Sequence, residues 1–429
     1  MTIHTVTSGE TLFSIGEKYN LSVEYIQNIN LLPNPDNLVI GQTVVILYPE
    51  TTHMATAYDS IDSIATKYGV SKIQLQRNNP FLATRSIEVG DIIVIAFKRN
   101  PLGTAEINGY VYPFIDLDYL PSVLPYLTYI TIFTYGSTRS GELIDIDDER
   151  IISLARSYGV APIMHLSSLS AEGIFSSALA SEILNNPFLQ NILIENILFT
   201  LTQKKYHGLD IDFEFIPSSD TEKYVDFVAK LKIALNSKGF ILITALAPKT
   251  SSDQVGILYE GHDYEGIGRE TNIAFIMTYE WGYTYGPPMA VAPINKVKEV
   301  IDYAVTEIPS KKILMGIPSY GYIWTLPYVS GITKATSISN VTALNIAAEQ
   351  NAEILYDSLF ASPYFYFTDT NGTPCVVWFE DARSIEAKLK IITEYNLLGA
   401  GYWNFDRPFP QNWTVLNAMY NILQVPVVI

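Results

Sequence analysis

From about residue 105 to the C-terminus, apolar positions fall into short runs of strand character separated by longer stretches whose apolar residues recur at helical spacing. The strand-like runs are Gly109–Phe114, Tyr129–Phe133, Ala161–Leu166, Gly208–Phe215, Ile241–Ala247, Ile273–Tyr279, Ile313–Pro318 and Leu398–Phe405. Between them, helical patterns cover Asp148–Tyr158, Ser176–Leu189, Thr221–Ser237, Pro293–Thr306 and Ser384–Glu394. Eight strands alternating with helices predict a (β/α)8 TIM-type barrel rather than a doubly wound sheet. The gap before the last strand is too long for one helix. It holds two strand-like segments, Tyr364–Asp369 and Pro374–Glu380, around an Asn371-Gly372 turn, which predicts a small α+β insertion at about 326–381.

The first hundred residues are a repeat. His4, Ser14, Ile15, Tyr19, Ser22, Gln27, Asn30, Gly41 and Ile46 recur in register as His53, Ser63, Ile64, Tyr68, Ser71, Gln76, Asn79, Gly90 and Ile95. Each copy predicts a strand (Thr5-Val6; Ala55–Ala57), two helices (Thr11–Tyr19 and Val23–Asn28; Ser60–Tyr68 and Lys72–Arg77) and a closing strand (Val44–Leu47; Ile92–Ala96). Thr11 and Ser60 stand where helix N-caps are expected. Two βααβ copies are too few for a solenoid and read as two independent modules, at 1–49 and 50–98. A polar, Pro- and Gly-containing stretch at 99–104 reads as a linker, with the barrel domain at 105–429.

Composition narrows the function. The chain has 429 residues, 48% of them hydrophobic, enough for a large core. A net charge of −17 argues against nucleic-acid and anionic-membrane partners, which need basic patches. No apolar stretch approaches the ~20 residues of a membrane span. The segment from Met1 to Thr7 has neither the basic start nor the apolar core of a secretory signal. The single cysteine, Cys375, sits in an apolar run and reads as a buried, inert thiol.

The candidate chemistry lies in His207-Gly-Leu-Asp210-Ile-Asp212-Phe-Glu214. In a strand, Asp210, Asp212 and Glu214 share one face while Leu209, Ile211 and Phe213 take the other. Three carboxyls on one face repel one another and are costly to desolvate, so they mark proton chemistry or a metal. Barrel enzymes place their catalytic groups at the C-terminal strand ends. Asp212 and Glu214 close the fourth strand, Tyr279-Glu280-Trp281 the sixth, Tyr320-Gly-Tyr322 the seventh and Trp403-Asn404 the eighth.

Two resemblances follow from these residues. The first repeat, with Gly9-Glu10-Thr11-Leu12, Asn30 and Leu38-x-Ile40-Gly41-Gln42, resembles the LysM module, which binds N-acetylglucosamine chains of peptidoglycan and chitin. That resemblance implies a glycan site formed by Gly9, Glu10, Thr11, Leu12, Asn30 and Leu31, and in the second copy by Asp59, Ser60 and Asn79. In the second copy Tyr58 replaces the loop glycine. The barrel, through its fourth-strand motif, Met277-Thr-Tyr279 and Gly401-Tyr-Trp403-Asn404, resembles family 18 glycoside hydrolases. Together with Gly286–Pro293 and Trp378–Ser384, the pattern is similar to the spore peptidoglycan hydrolases of that family, which are N-acetylglucosaminidases acting on spore cortex.

The family resemblance implies substrate-assisted retaining catalysis. Glu214 is the expected acid, Asp212 orients the substrate's 2-acetamido group, Asp210 holds Asp212 through a shared proton, and Tyr279 donates to the acetamido oxygen. Trp403 is the expected floor of the sugar site, with Met277, Glu280, Trp281, Tyr320 and Asn404 around it. His207 stands where the family has an aspartate; it either hydrogen-bonds Asp210 or packs at the strand's start. Tyr322 and Trp324 are equally subsite walls or core, and His53, His165 and His262 read as surface or satisfied core residues. No cofactor or metal is expected, and the expected partners are peptidoglycan or chitin-like glycans of a monomeric enzyme. The expected site of action is the spore coat and cortex region, or alternatively a cell wall. A chitinase and a catalytically silent sugar-binding protein remain as alternatives.

Overall fold

The computed structural model describes residues 1–170, 173 and 175–425, so the last four residues of the expected barrel span lie outside it. Eight parallel strands form a closed barrel: β1 (Gly103–Val111), β2 (Tyr129–Ser137), β3 (Ala161–Ser167), β4 (Gly208–Asp212), β5 (Ile241–Leu246), β6 (Ile273–Ile276), β7 (Ile313–Pro318) and β8 (Gly399–Trp403). Pairing of β8 and of β2 with β1 closes the ring. Strands β4 and β6 are shorter than expected because Phe213–Phe215 and Met277–Tyr279 leave the sheet as the loops that carry the chemistry. The expected helix Ser176–Leu189 is two helices, Ser177–Leu184 and Pro187–Lys204, because Asn186 caps a new helix with Pro187 in its first turn.

The insertion starts at Tyr320, earlier than the expected 326. Strand Tyr320–Thr325 does not close β7. It turns back and joins an antiparallel five-stranded sheet with Thr336–Ser339, Pro374–Trp378, Ser362–Thr368 and Leu355–Asp357. The alternation of Tyr320, Tyr322 and Trp324 is that of a strand, and sequence periodicity does not show which sheet it joins.

In the N-terminal repeats the first strands lie slightly upstream of the expected ones, at Thr2–Thr5 and Pro49–Met54. The helix caps fall as expected: the Thr11 and Ser60 side chains each accept the backbone N–H three residues on, from Ser14 and Ser63. His4 meets Glu10 and the Tyr19 hydroxyl at 3.0 and 3.2 Å, and His53 repeats the arrangement with Asp59 and Tyr68 at the same distances. Glu10 and Asp59 also accept the N–H of Thr7 and Thr56, which fixes the loop ahead of the first helix.

The modules are not independent of the barrel. Gln411 donates to Asn30 Oδ1 and to the Thr43 carbonyl at 3.0 and 2.8 Å, and Thr414 donates to the Ile29 carbonyl at 2.6 Å. Arg77 of the second module donates to the Pro125 carbonyl at 2.5 Å, and Asn417 donates to Asn78 Oδ1 at 3.0 Å. The expected linker is equally tied down, with Arg99 bonded to the carbonyls of Asn417 and Tyr420. Helix Pro410–Met419 is buried along its whole length because one side meets the barrel and the other meets the modules. Among the described residues no helix is long and apolar enough to cross a membrane.

Gly41 is where the first module meets the insertion. Its φ is +87°, and an added Cβ would lie 1.9 Å from the Ile354 carbonyl oxygen. Gly41→Ala therefore combines left-handed backbone strain with a backbone clash. It should lower stability by more than ~1 kcal/mol and loosen the contact, read as a lower unfolding midpoint and faster proteolysis at residues 98–103; an unchanged midpoint would count against the docking.

Candidate active site

The alternating pattern of β4 places Asp210 and Asp212 toward the barrel interior, both buried, while Leu209 and Ile211 pack outward against the helices. Asp210 Oδ2 accepts the Tyr110 hydroxyl of β1 at 2.6 Å. His165 of β3 is in register with Asp210 and brings its Nε2 to 3.5 Å from Asp212 Oδ2. Its Nδ1 lies 2.7 Å from Thr134 Oγ1, which fixes the ring. The Oδ1 atoms of both aspartates are buried with no N–H or O–H donor of another residue, while Tyr110 and His165 stand at Asp210 Oδ2 and Asp212 Oδ2.

His207 is no part of this cluster. It sits at the start of β4, its N–H bonded to the Pro162 carbonyl and its ring 6.2 Å from that of Tyr129, and the reach to Asp210 is taken by Tyr110. His165, expected to be surface or a satisfied core residue, is a neighbour of the acids. His262 is satisfied core: it accepts the Ala247 N–H and lies 3.1 Å from the Phe213 carbonyl, bracing the turn that presents Glu214.

Glu214 lies just past β4 and is half-buried. Burial, and then the charge of Asp212, push its carboxyl up to about 8. Asp210 is pushed up to about 6, chiefly by burial, with His165 and the Tyr110 hydrogen bond opposing. Tyr279 is buried, and its ionisation is pushed well upward by burial and then by the charges of Asp212 and Glu214, which keeps its hydroxyl protonated near the acids. Its ring fits because β7 has glycine opposite: a Cβ at Gly316 would lie 2.8 Å from Tyr279 Cε1.

Trp403 forms a half-buried floor, with the rings of Tyr110, Tyr112 and Phe133 at 5.6, 6.0 and 4.9 Å. The sequence reading missed Tyr112, Phe133 and the exposed Phe114, which stacks on Tyr112 at 5.0 Å. Glu280, in a left-handed backbone at φ 68°, accepts the Tyr320 hydroxyl in a short bond and the Tyr322 hydroxyl at 3.2 Å. The residue is exposed overall, yet crowding at its carboxylate raises its pKa while the two tyrosines oppose the rise. Met277, Trp281 and Asn404 are half-buried around the same mouth. Trp324 is core, its Nε1 donating to the Gly286 carbonyl, and Tyr322 braces Glu280 from beneath. Among the described residues no group of acids, histidines and cysteines could hold a metal ion.

In the modules, Gly9 is exposed at φ +81° and Thr11 is exposed at its cap. Three of the expected glycan contacts turn inward. Leu12 is core, and the side chains of Asn30 and Asn79 are buried, each amide bonded to backbone of its own module. They pin the second helix to the closing strand. Asp59 is taken up by His53 and Thr56, Ser60 is a cap, and Leu31 packs against the second module.

Two neighbouring carboxyls, a buried tyrosine and a half-buried tryptophan thus meet at one end of the barrel. The model of glycosyl hydrolases family 18 matches residues 115–407 and that of the LysM domain matches 4–47 and 57–96. The chain belongs to glycosyl hydrolases family 18. It is 38% identical, over 99% of both chains, to the cortical fragment-lytic enzyme of Bacillus subtilis (strain 168). The crystal structure of the spore cortex-lytic enzyme SleL of Bacillus megaterium superposes with a TM-score of 0.84 at 37% identity, covering 99% of each chain. A chitinase from Chromobacterium violaceum, at 24% identity, covers 73% of this chain with a TM-score of 0.68, a likeness of fold.

The raised pKa of Glu214 has a cost in stability with a definite sign. A carboxyl whose folded pKa lies above its unfolded value stabilises fully below about 4.5 and loses that contribution as pH rises toward about 8. Glu214→Gln should therefore raise the unfolding midpoint at pH 8 by an amount on the order of 1 kcal/mol, and the gain should shrink toward pH 5. Equal midpoints for the two proteins at pH 8 would contradict the buried, charge-repelled carboxyl.

Proposed function

We propose that the chain hydrolyses the β-1,4 bond after N-acetylglucosamine in spore cortex peptidoglycan, with retention, using the substrate's own acetamido group. The observation that carries this reading is the placement of half-buried Glu214 just past the end of β4, beside buried Asp212, where burial and then the charge of Asp212 push its carboxyl up to about 8. Two neighbouring carboxyls at a strand end suit an acid and an orienting partner.

In the first step Glu214 gives its proton to the glycosidic oxygen as the bond from that oxygen to the anomeric carbon breaks. The acetamido carbonyl oxygen attacks the anomeric carbon from the other side, forming an oxazolinium ring. Asp212 accepts the acetamido N–H, which orients it, and Tyr279 donates its hydroxyl to the acetamido oxygen. Trp403 supports the apolar face of the ring. Water then adds at the anomeric carbon, Glu214 takes back a proton, and the ring opens. A sugar without an N-acetyl group cannot supply the nucleophile, so the bond after muramic lactam is not a substrate.

Two relatives whose names include cortex lysis, matched over nearly the whole chain, support cortex as the substrate and the spore as the place of action. The LysM domains support capture of N-acetylglucosamine glycans, with Gly9, Glu10 and Thr11 offering the surface of the first module. A chitinase would use the same catalytic residues.

Mass analysis of cortex digests should find N-acetylglucosamine at the new reducing ends, and cortex fragments should be turned over in preference to chitin oligomers. Muramic residues at those ends would refute the mechanism. Glu214→Gln should cut kcat by about 10³-fold or more while glycan binding persists. Because protonated Glu214 is the active form, wild-type kcat/KM should fall as pH rises through about 8.

A further inference from the structure

At the mouth of the barrel the chain carries an arginine that makes no direct ion pair among the described residues. Arg407 follows β8 and its floor tryptophan, and is half-buried. One of its guanidinium N–H groups donates to Ser337 Oγ at 2.6 Å, and among the described residues no carboxylate lies within ion-pair distance of it. Its neighbour Asp406 feels the charge of Arg407 but makes no direct ion pair with it: Asp406 Oδ2 accepts the Tyr112 N–H at 3.3 Å, and its Oδ1 is buried without a hydrogen bond.

Contacts fix the position of Arg407 from both sides. Ser337 is the cross-strand neighbour of Tyr322 in the insertion sheet, and Tyr322 donates to Glu280 at the mouth. On the other side, Tyr112 packs on Trp403 and carries the stacked Phe114. The charge of Arg407 acts on both Tyr322 and Tyr112. The guanidinium thus stands between the end of β1 and the insertion wall, beside the floor of the sugar site. Farther along that wall, exposed Lys334 sits over the Tyr285 ring at 5.5 Å.

A guanidinium offers five N–H donors in a planar fork that matches a carboxylate, and here four are left. In a chain of net charge −17, carboxylates are plentiful, and among the described residues none makes a direct ion pair with this arginine. Chitin carries no anionic group. A muramic residue that keeps its lactyl arm ends in a carboxylate, its own or that of an attached peptide.

We infer that Arg407 is a specificity-determining residue that receives a carboxylate borne by a muramic residue of the bound glycan. This rests on the reading of the cleft given under Proposed function. The contact is partly open to water, so it distinguishes substrates without being required for bond cleavage.

The test uses the full chain and three substrates of equal length: N-acetylglucosamine–N-acetylmuramic acid oligomers with free lactyl carboxylates, the same oligomers with those carboxylates converted to methyl amides, and a chitin oligomer. Wild type should favour the carboxylate form over the amide by about tenfold in KM, the size of one charge-assisted contact. Arg407→Gln should abolish that preference, Arg407→Lys should keep part of it, and unfolding midpoints report that both variants fold. If wild type cleaves the chitin oligomer and neither muramic oligomer, the substrate reading fails and the inference falls with it. If wild type cleaves all three without telling carboxylate from amide, or Arg407→Gln leaves their ratio unchanged, the inference alone is overturned.

Discussion

The constraint on which this structure turns is the crowding of buried Asp210 and Asp212 on one face of β4 with Glu214 just past its end. Removing carboxyls from water disfavours their charged forms, and their mutual repulsion adds to this. The chain answers by spreading the burden over the barrel. β1 supplies Tyr110 as donor to Asp210, β3 supplies His165 beside Asp212, and the loop after β6 supplies Tyr279 facing both Asp212 and Glu214. None of these neighbours is near the acids in sequence. The closed ring is therefore a condition for the acids to coexist, since an open sheet would leave β1 far from β4.

How much of this was legible in the chain follows from the range of each interaction. The strand alternation, the caps at Thr11 and Ser60 and the pairing of Asp210 with Asp212 on one strand face are local patterns that stand in the structure as read, whereas Glu214, expected on the same strand, lies just past its end. Tyr110 and His165 carry only a weak local signal, a polar atom on a residue inside an apolar strand, and their partners lie on other strands. His207 drew attention by standing in the motif, yet strand geometry places it at the base of β4, away from Asp210. Tyr320–Thr325 has a strand's pattern in any sheet, and only the fold shows that it opens the insertion.

Asn30 and Asn79 show a second limit. A polar residue recurring at equivalent positions of two repeats suits a binding contact and a structural bond equally well. Each amide here satisfies backbone groups of the closing strand, the use that a buried polar group requires. The docking of both modules was illegible for a similar reason. Gln411, Thr414 and Asn417 lie on a helix whose surface in a free barrel would be polar and solvated, a pattern that reads as exterior.

Under the proposed mechanism, the arrangement at Glu214 would keep its proton secure during binding. Burial is the larger cause of its raised pKa and the charge of Asp212 the smaller. A hydrogen bond from a substrate amide to Asp212 draws on the charge of that carboxylate and weakens the smaller cause. The same sugar, seated on Trp403, excludes water from the half-buried Glu214 and strengthens the larger one. The two changes oppose each other in Glu214, and the dominant one favours the protonated acid. Substrate binding and readiness of the proton are thus linked through desolvation, and a site whose acid depended on the charge of its partner alone would lose that link.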